Sequence, residues 1–201
     1  MRRGIPVVVS APSGTGKTTL CHRVIKTFGG AEFSVSYTTR APRGHERNGS
    51  SYHFVSETHF DELIASGAML EWAPVFAHRY GTGRDWVYER LNTGVDVLFD
   101  IDVQGGMQIK KALGEALLVF VLPPSMQELE HRLRGRGTDT EEQLQIRLGK
   151  ARDEIARSKD YDVLIVNDTL DIAVHELGSL LVADRLKHVD RDALIAQVLG
   201  S

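Results

Sequence analysis

One cysteine, Cys21, is all the chain contains. No internal disulfide can form, no thiolate metal cage can assemble, and a reducing compartment suits the chain. Lying in the first predicted helix, Cys21 is expected to be buried and inert. Long apolar runs are equally scarce. The longest, Ala116 to Pro124, is far too short to span a bilayer. Met1-Arg2-Arg3 leads straight into an apolar strand with no hydrophobic leader between them, so a cytoplasmic protein is expected. Excess charge is missing too: the formal net charge is −3 over 201 residues. A general nucleic-acid or anionic-membrane binder would be strongly basic, so neither partner is expected and any anion site must be local. The eight histidines show no paired spacing of the kind a zinc site needs. There is no internal repeat, no low-complexity tract and no feature that calls for an obligate protein partner.

What is present begins at Val7-Val8-Val9-Ser10, an apolar run followed by Ala11-Pro12-Ser13-Gly14-Thr15-Gly16-Lys17-Thr18-Thr19-Leu20. Gly14 and Gly16 lack a Cβ, so the backbone can turn through positive φ and aim consecutive N–H groups at an anion. A helix starting near Lys17 adds its unpaired first-turn N–H groups and the positive end of its dipole. Ala11 stands where the usual phosphate-loop pattern has glycine, but Gly16-Lys17-Thr18 is intact. A Gly/Ser-rich turn could also join strand to helix and bind nothing. The strand before it and the stripe Leu20, Val24, Ile25, Phe28 after it favour a phosphate loop. Lys17 would then reach the β- and γ-phosphates of a nucleotide, and the Thr18 hydroxyl would face a Mg²⁺ ion bridging them.

Further along, residues 33 to 85 change character, with short alternating strands at Phe33 to Tyr37, Tyr52 to Val55 and Met69 to Ala73. A short helix around Phe60, Leu63 and Ile64 lies among them. Alternation of helix and strand resumes near Asp85. The spacing predicts buried strands at Val95 to Ile101, Leu117 to Leu122 and Val163 to Val166, with helices between. Ser125 with Glu128, and Thr140 with Gln143, have the spacing of capping boxes for two helices joined by the Gly135-Arg136-Gly137 turn. Residues 188 to 201 read as one or two further amphipathic turns. The fold class is therefore α/β: a phosphate-loop core with a parallel sheet, an inserted mixed α+β subdomain and a helical lid. The boundaries are 1–33, 85–125 and 159–201 for the core, 34–84 for the insertion and 126–158 for the lid.

Asp100 closes an apolar strand, where a lone carboxylate is costly unless it meets a cation or donors. It could assist Mg²⁺ beside the phosphate loop, directly or through water, or it could cap the helix that starts near Val103. Arg40 and Arg43 flank a proline turn. Their planar forks suit a phosphate, though a solvated turn often carries two charges.

The spacing Ser34, Ser36, Thr38-Thr39-Arg40, Pro42-Arg43, with Glu46, Gly49 and Tyr52, resembles the nucleoside-monophosphate site of guanylate kinases. The likeness continues through Glu71-Trp72, Tyr80-Gly81-Thr82, Asp100 to Gly105, Arg132 to Thr138, Arg147 and Val166-Asn167-Asp168. The resemblance implies an enzyme that transfers the γ-phosphoryl group of MgATP to GMP, and to dGMP, giving ADP and the diphosphate. It implies that Arg40, Arg43, Tyr52 and Tyr80 hold the GMP phosphate and that Ser36, Glu71, Thr82 and Asp102 read guanine. Arg132 and Arg136, with Arg147, would close on the ATP phosphates, and Asn167 would lie near adenine.

The chemistry agrees with that implication. Guanine offers N1–H and its 2-amino group side by side, and a carboxylate such as Glu71 can accept from both. Adenine offers an acceptor at N1 and no 2-amino group, and a site built around hydrogen bonds rejects such a base by about 10⁴ or more. Glu71 could equally be an exposed strand residue. Two other classes stay open on sequence alone: a non-catalytic docking module of the same fold, and a kinase for another phosphorylated acceptor.

Overall fold

The computed structural model describes residues 2–75, 77–135, 137 and 139–200. In chain order the elements run β1 (Pro6–Ser10), α1 (Lys17–Phe28), β2 (Ala31–Phe33), β3 (Tyr37–Thr38), β4 (His53–Phe54) and α2 (Glu57–Ala65). Next come β5 (Met69–Val75), β6 (His78–Gly83), α3 (Arg84–Asn92), β7 (Asp96–Asp100), α4 (Val103–Leu113) and β8 (Leu117–Leu122). The chain ends with α5 (Met126–Gly135), α6 (Glu141–Ala156), β9 (Val163–Val166), α7 (Leu170–Lys187) and α8 (Arg191–Leu199).

Five strands form a parallel sheet in the order β2-β7-β1-β8-β9. Its central strand β1 is buried along its whole length because both faces are covered. Val7 and Val9 pack with Leu20, Cys21 and Val24 of α1 and with Ala173 and Leu177 of α7. Val8 packs on the other side with Val87 and Leu91 of α3 and Ile109 of α4. The alternation of strand side chains thus splits one apolar run between two helical layers. Cys21 is fully buried, and burial pushes its thiol pKa up, away from reactivity.

A second sheet has the order β4-β3-β6-β5. Here the expectation of one strand over Phe33 to Tyr37 is corrected. Ala31–Phe33 joins the edge of the parallel sheet, and Tyr37–Thr38 crosses to the other one, with Ser34 N donating to Leu98 O at 2.9 Å where the chain departs. Strand β6, which has no clear pattern in the sequence, pairs with β3 and β5 at once.

The helices α5 and α6 carry a small core of their own from Leu129, Leu133, Leu144, Leu148 and Ala151. Thr140 and Gln143 form the full capping box of α6. Ser125 accepts the Glu128 amide at 3.0 Å, while the Glu128 carboxylate receives Arg132 Nε at 2.8 Å. Helix α6 stops at Ala156, and Ser158 opens a separate 3-10 turn through Asp160. The final segment is a nine-residue helix that buries none of its residues. Among the described residues no helix is long and apolar enough to cross a membrane.

Candidate active site

The loop from Ala11 to Gly16 leaves the carboxyl end of β1 and turns twice through left-handed backbone, at Gly14 (φ 97°) and Gly16 (φ 94°). Any other residue would be strained at both positions. Pro12 accepts the Thr15 amide at 3.2 Å, which rounds the loop, and Gly16 is the N-cap of α1 with no side chain capping it. The first-turn N–H groups of α1 therefore face the loop's interior without a side-chain acceptor. Ser13, Thr18 and Thr19 are exposed. The Thr15 hydroxyl is buried and has no hydrogen-bond partner among the described residues.

At the carboxyl end of β7, Asp100 Oδ1 stands 2.5 Å from Lys17 Nζ, and Asp100 Oδ2 accepts the Thr18 hydroxyl at 2.5 Å. Lys17 also donates to Ile101 O at 3.0 Å, a carbonyl it shares with the Ser10 hydroxyl at 2.9 Å. Burial works against the Lys17 charge, but Asp100 outweighs it and the pKa is raised, so the ammonium is retained. Helix capping falls not to Asp100 but to Asp102, whose Oδ1 accepts Gly105 N at 2.9 Å. Thr18 and Asp100 put a hydroxyl and a carboxylate side by side. These are hard oxygen donors of the kind Mg²⁺ takes in small number, completing its shell with phosphate and water, so the residues fit that ion. Among the described residues no group of three or more His, Cys, Asp or Glu could hold a metal without such help.

From α5, Arg132 donates to Asn167 O at 3.2 Å and to Thr15 O at 3.4 Å. From α6, Arg147 donates to Ser13 Oγ at 3.4 Å and pairs with Asp139 at 3.2 Å. Both guanidiniums therefore rest against the phosphate loop. Asn167 follows β9 and is 5% exposed, with its amide donating to Thr15 O at 2.7 Å from behind the loop. Arg136, expected beside Arg132, lies outside the described residues.

In the second sheet Arg40 is almost fully buried, with a bidentate pair to Glu46 at 2.8 and 2.9 Å and Nε donating to the Tyr80 hydroxyl at 3.1 Å. The Tyr52 ring centroid lies 5.1 Å from the guanidinium carbon. Glu46 also accepts the Arg43 amide at 2.7 Å, so one carboxylate shapes the whole turn while the Arg43 side chain stays exposed. The Arg40 hydrogen bonds hold the Glu46 carboxyl below its ordinary pKa. Glu46 stands within the motif of residues 34–52, and its task shows only in the fold. Its bidentate match to Arg40 is the only signal, and that needs three dimensions.

Glu71 is 5% exposed and its Oε1 accepts the Thr82 hydroxyl at 2.7 Å. This excludes the exposed-strand alternative. The register pairs Glu71 with Thr82, and Tyr37 with Gly81, which sets Ser36 at the position across from Thr82 in one row over the sheet. Burial pushes the Glu71 carboxyl pKa up to about 7; the Thr82 hydrogen bond opposes the rise and nearby Asp102 adds to it. Among the described residues this buried carboxylate has one donor for its two oxygens, so acceptor capacity is left over.

Comparison with known proteins follows the same lines. The family model for guanylate kinase matches residues 3–184. A guanylate kinase of Anaeromyxobacter dehalogenans (strain 2CP-C) is 53% identical over 190 residues, 94% of this chain and 84% of its own. One from Neisseria meningitidis serogroup B is 48% identical over 198 residues, 98% of this chain and 97% of its own. The crystal structure of guanylate kinase from Anaplasma phagocytophilum is similar with a TM-score of 0.81 at 30% identity, covering 97% of this chain and 95% of that one.

Proposed function

Because the chain belongs to the guanylate kinase family, whose reaction moves the γ-phosphoryl group of ATP onto GMP, we propose that its two sheets divide that reaction between them. The parallel sheet with the loop Ala11 to Thr19 takes ATP, and residues 34–84 take GMP or dGMP. The pair α5 and α6, within 126–158, acts as the lid. Lys17 and the loop amides hold the β- and γ-phosphates, with Asn167 fixing the loop from the adenine side. Arg132 and Arg147 exchange their contacts with the loop for phosphate oxygens as the lid closes, and Arg136 joins them on those phosphates. A Mg²⁺ ion held by Thr18 and Asp100 would neutralise charge on those phosphates.

On the opposite side Arg40, Arg43, Tyr52 and Tyr80 hold the acceptor phosphate, and Ser36, Glu71, Thr82 and Asp102 read the base. No general base is required. The attacking group is an oxygen of the GMP phosphate, largely ionised near neutrality because the second pKa of a monoester is about 6. The barrier is the meeting of two polyanions, so catalysis rests on positive charge, alignment and exclusion of water rather than on proton transfer.

The observation that carries this reading is Glu71. It is a carboxylate buried at some cost and held by a single hydroxyl, in the same chain as a phosphate loop already fitted with its lysine. Calorimetry tests the reading. GMP and a non-hydrolysable ATP analogue should each bind at one site and together give two binding heats. A single shared pocket, with no added heat from the second ligand, would sink it.

A further inference from the structure

Helix α4 opens with its N-cap Asp102, and Gly105 and Gln108 follow at three-residue intervals, so all three lie along adjoining rows of one helix face. That face meets β5. At Gly105 the missing side chain admits Glu71, since a Cβ there would stand 2.9 Å from Glu71 Oε2. One turn further, Gln108 Nε2 donates to Trp72 O at 3.0 Å and Gln108 Oε1 accepts Trp72 N at 3.4 Å. Strand β5 is the edge of its sheet, and these are the groups such an edge leaves open. The glutamine amide stands in for a neighbouring strand's peptide, closing the edge with a donor and an acceptor at one residue.

Trp72 is the residue after Glu71. Whatever fixes the Trp72 peptide against α4 also fixes how far the Glu71 carboxylate lies from Asp102 at the helix start. We propose that Gln108 is a positioning residue for recognition of the acceptor base, clasping β5 so that Glu71 and Asp102 are held in register across Gly105. The proposal rests on the reading of Glu71 as the group that accepts from guanine. Hydrogen-bonded discrimination needs the acceptor in place within a fraction of an ångström, and a strand with a free edge can slide by that much.

The test compares Gln108→Leu, which removes both bonds, with Gln108→Glu, which keeps the length but sets an oxygen against Trp72 O. ADP release is measured with GMP and with AMP as acceptor, beside Glu71→Gln. In both Gln108 variants KM for GMP should rise about tenfold, the worth of a lost hydrogen bond or two. The preference for GMP over AMP should narrow, while KM for ATP stays put and melting stays cooperative. An unchanged GMP preference in a folded variant, or an equal rise in both KM values, overturns the proposal. If Glu71→Gln loses the preference while the folded Gln108 variants keep it, only Gln108 is refuted. If Glu71→Gln also keeps it, the reading of Glu71 falls as well. Should neither Gln108 variant fold, amide exchange in the unaltered protein decides: a protected Trp72 N–H supports the clasp, and exchange at the rate of an open edge refutes it.

Discussion

Lys17 Nζ and Asp100 Oδ1 lie 2.5 Å apart beside the phosphate loop, so the chain holds its own cation with its own carboxylate. The same carboxylate takes the Thr18 hydroxyl, and the two bonds fix the first turn of α1 against the end of β7. The pairing also keeps the Lys17 ammonium charged despite its burial.

Lys17→Met removes that charge while leaving the second sheet untouched. Phosphoryl transfer should fall by at least about 10² to 10³, the cost of losing one preorganised donor to developing charge. Calorimetric binding of GMP should stay as it was. Loss of GMP binding would mean that the acceptor site is not separate from the loop.

Glu71 predicts a pH dependence with a definite sign. Its carboxyl is raised from 4.5 to about 7 by burial, so between those values the folded protein keeps a proton that the unfolded chain gives up. Stability should fall as pH rises through that window, by up to a few kcal/mol, and level off above it. Glu71→Gln should flatten the profile in urea titrations. Binding runs the other way, because only the ionised carboxylate accepts from both guanine donors. KM for GMP should rise as pH drops below about 7, more steeply than the phosphate's own pKa of about 6 explains. In Glu71→Gln only the phosphate's contribution should remain.

Asp96 lies at the opposite end of β7 and is fully buried. It accepts Arg2 Nη1 at 2.6 Å, Arg185 Nε at 2.6 Å and Ile5 N at 3.0 Å, tying the start of the chain and α7 to the parallel sheet. Asp96→Ala leaves two guanidiniums and an amide without their acceptor, a loss of about 3–5 kcal/mol. In a chain of this size that lowers Tm by about 10 °C, readable by calorimetry. Turnover at a temperature where the variant is folded should be unchanged, since no substrate contact is touched.

Much of this was legible beforehand for physical reasons. The phosphate loop declares itself through Gly14, Gly16 and Lys17, because left-handed turns and an anion-seeking lysine leave little choice of residue. The parallel strands declare themselves through unbroken apolar runs. Strand β6 did not, because His78-Arg79-Tyr80-Gly81-Thr82-Gly83 owes its extended form to neighbours on both sides rather than to its own residues. The break between Phe33 and Tyr37 was hidden because both halves are extended and only the identity of their partners differs. Asp100 and Asp102 could not be told apart by spacing, yet one holds the lysine and the other caps α4. The tasks of Glu46 and Gln108 stayed hidden because each acts on a residue already singled out, through contacts that exist only after folding.

The most direct test of the central claim is ADP release from MgATP with GMP, AMP, UMP and a sugar phosphate as acceptors, measured side by side. The buried Glu71 carboxylate predicts that GMP outruns AMP by about 10⁴ or more in kcat/KM. A rate with AMP or UMP equal to that with GMP would contradict it.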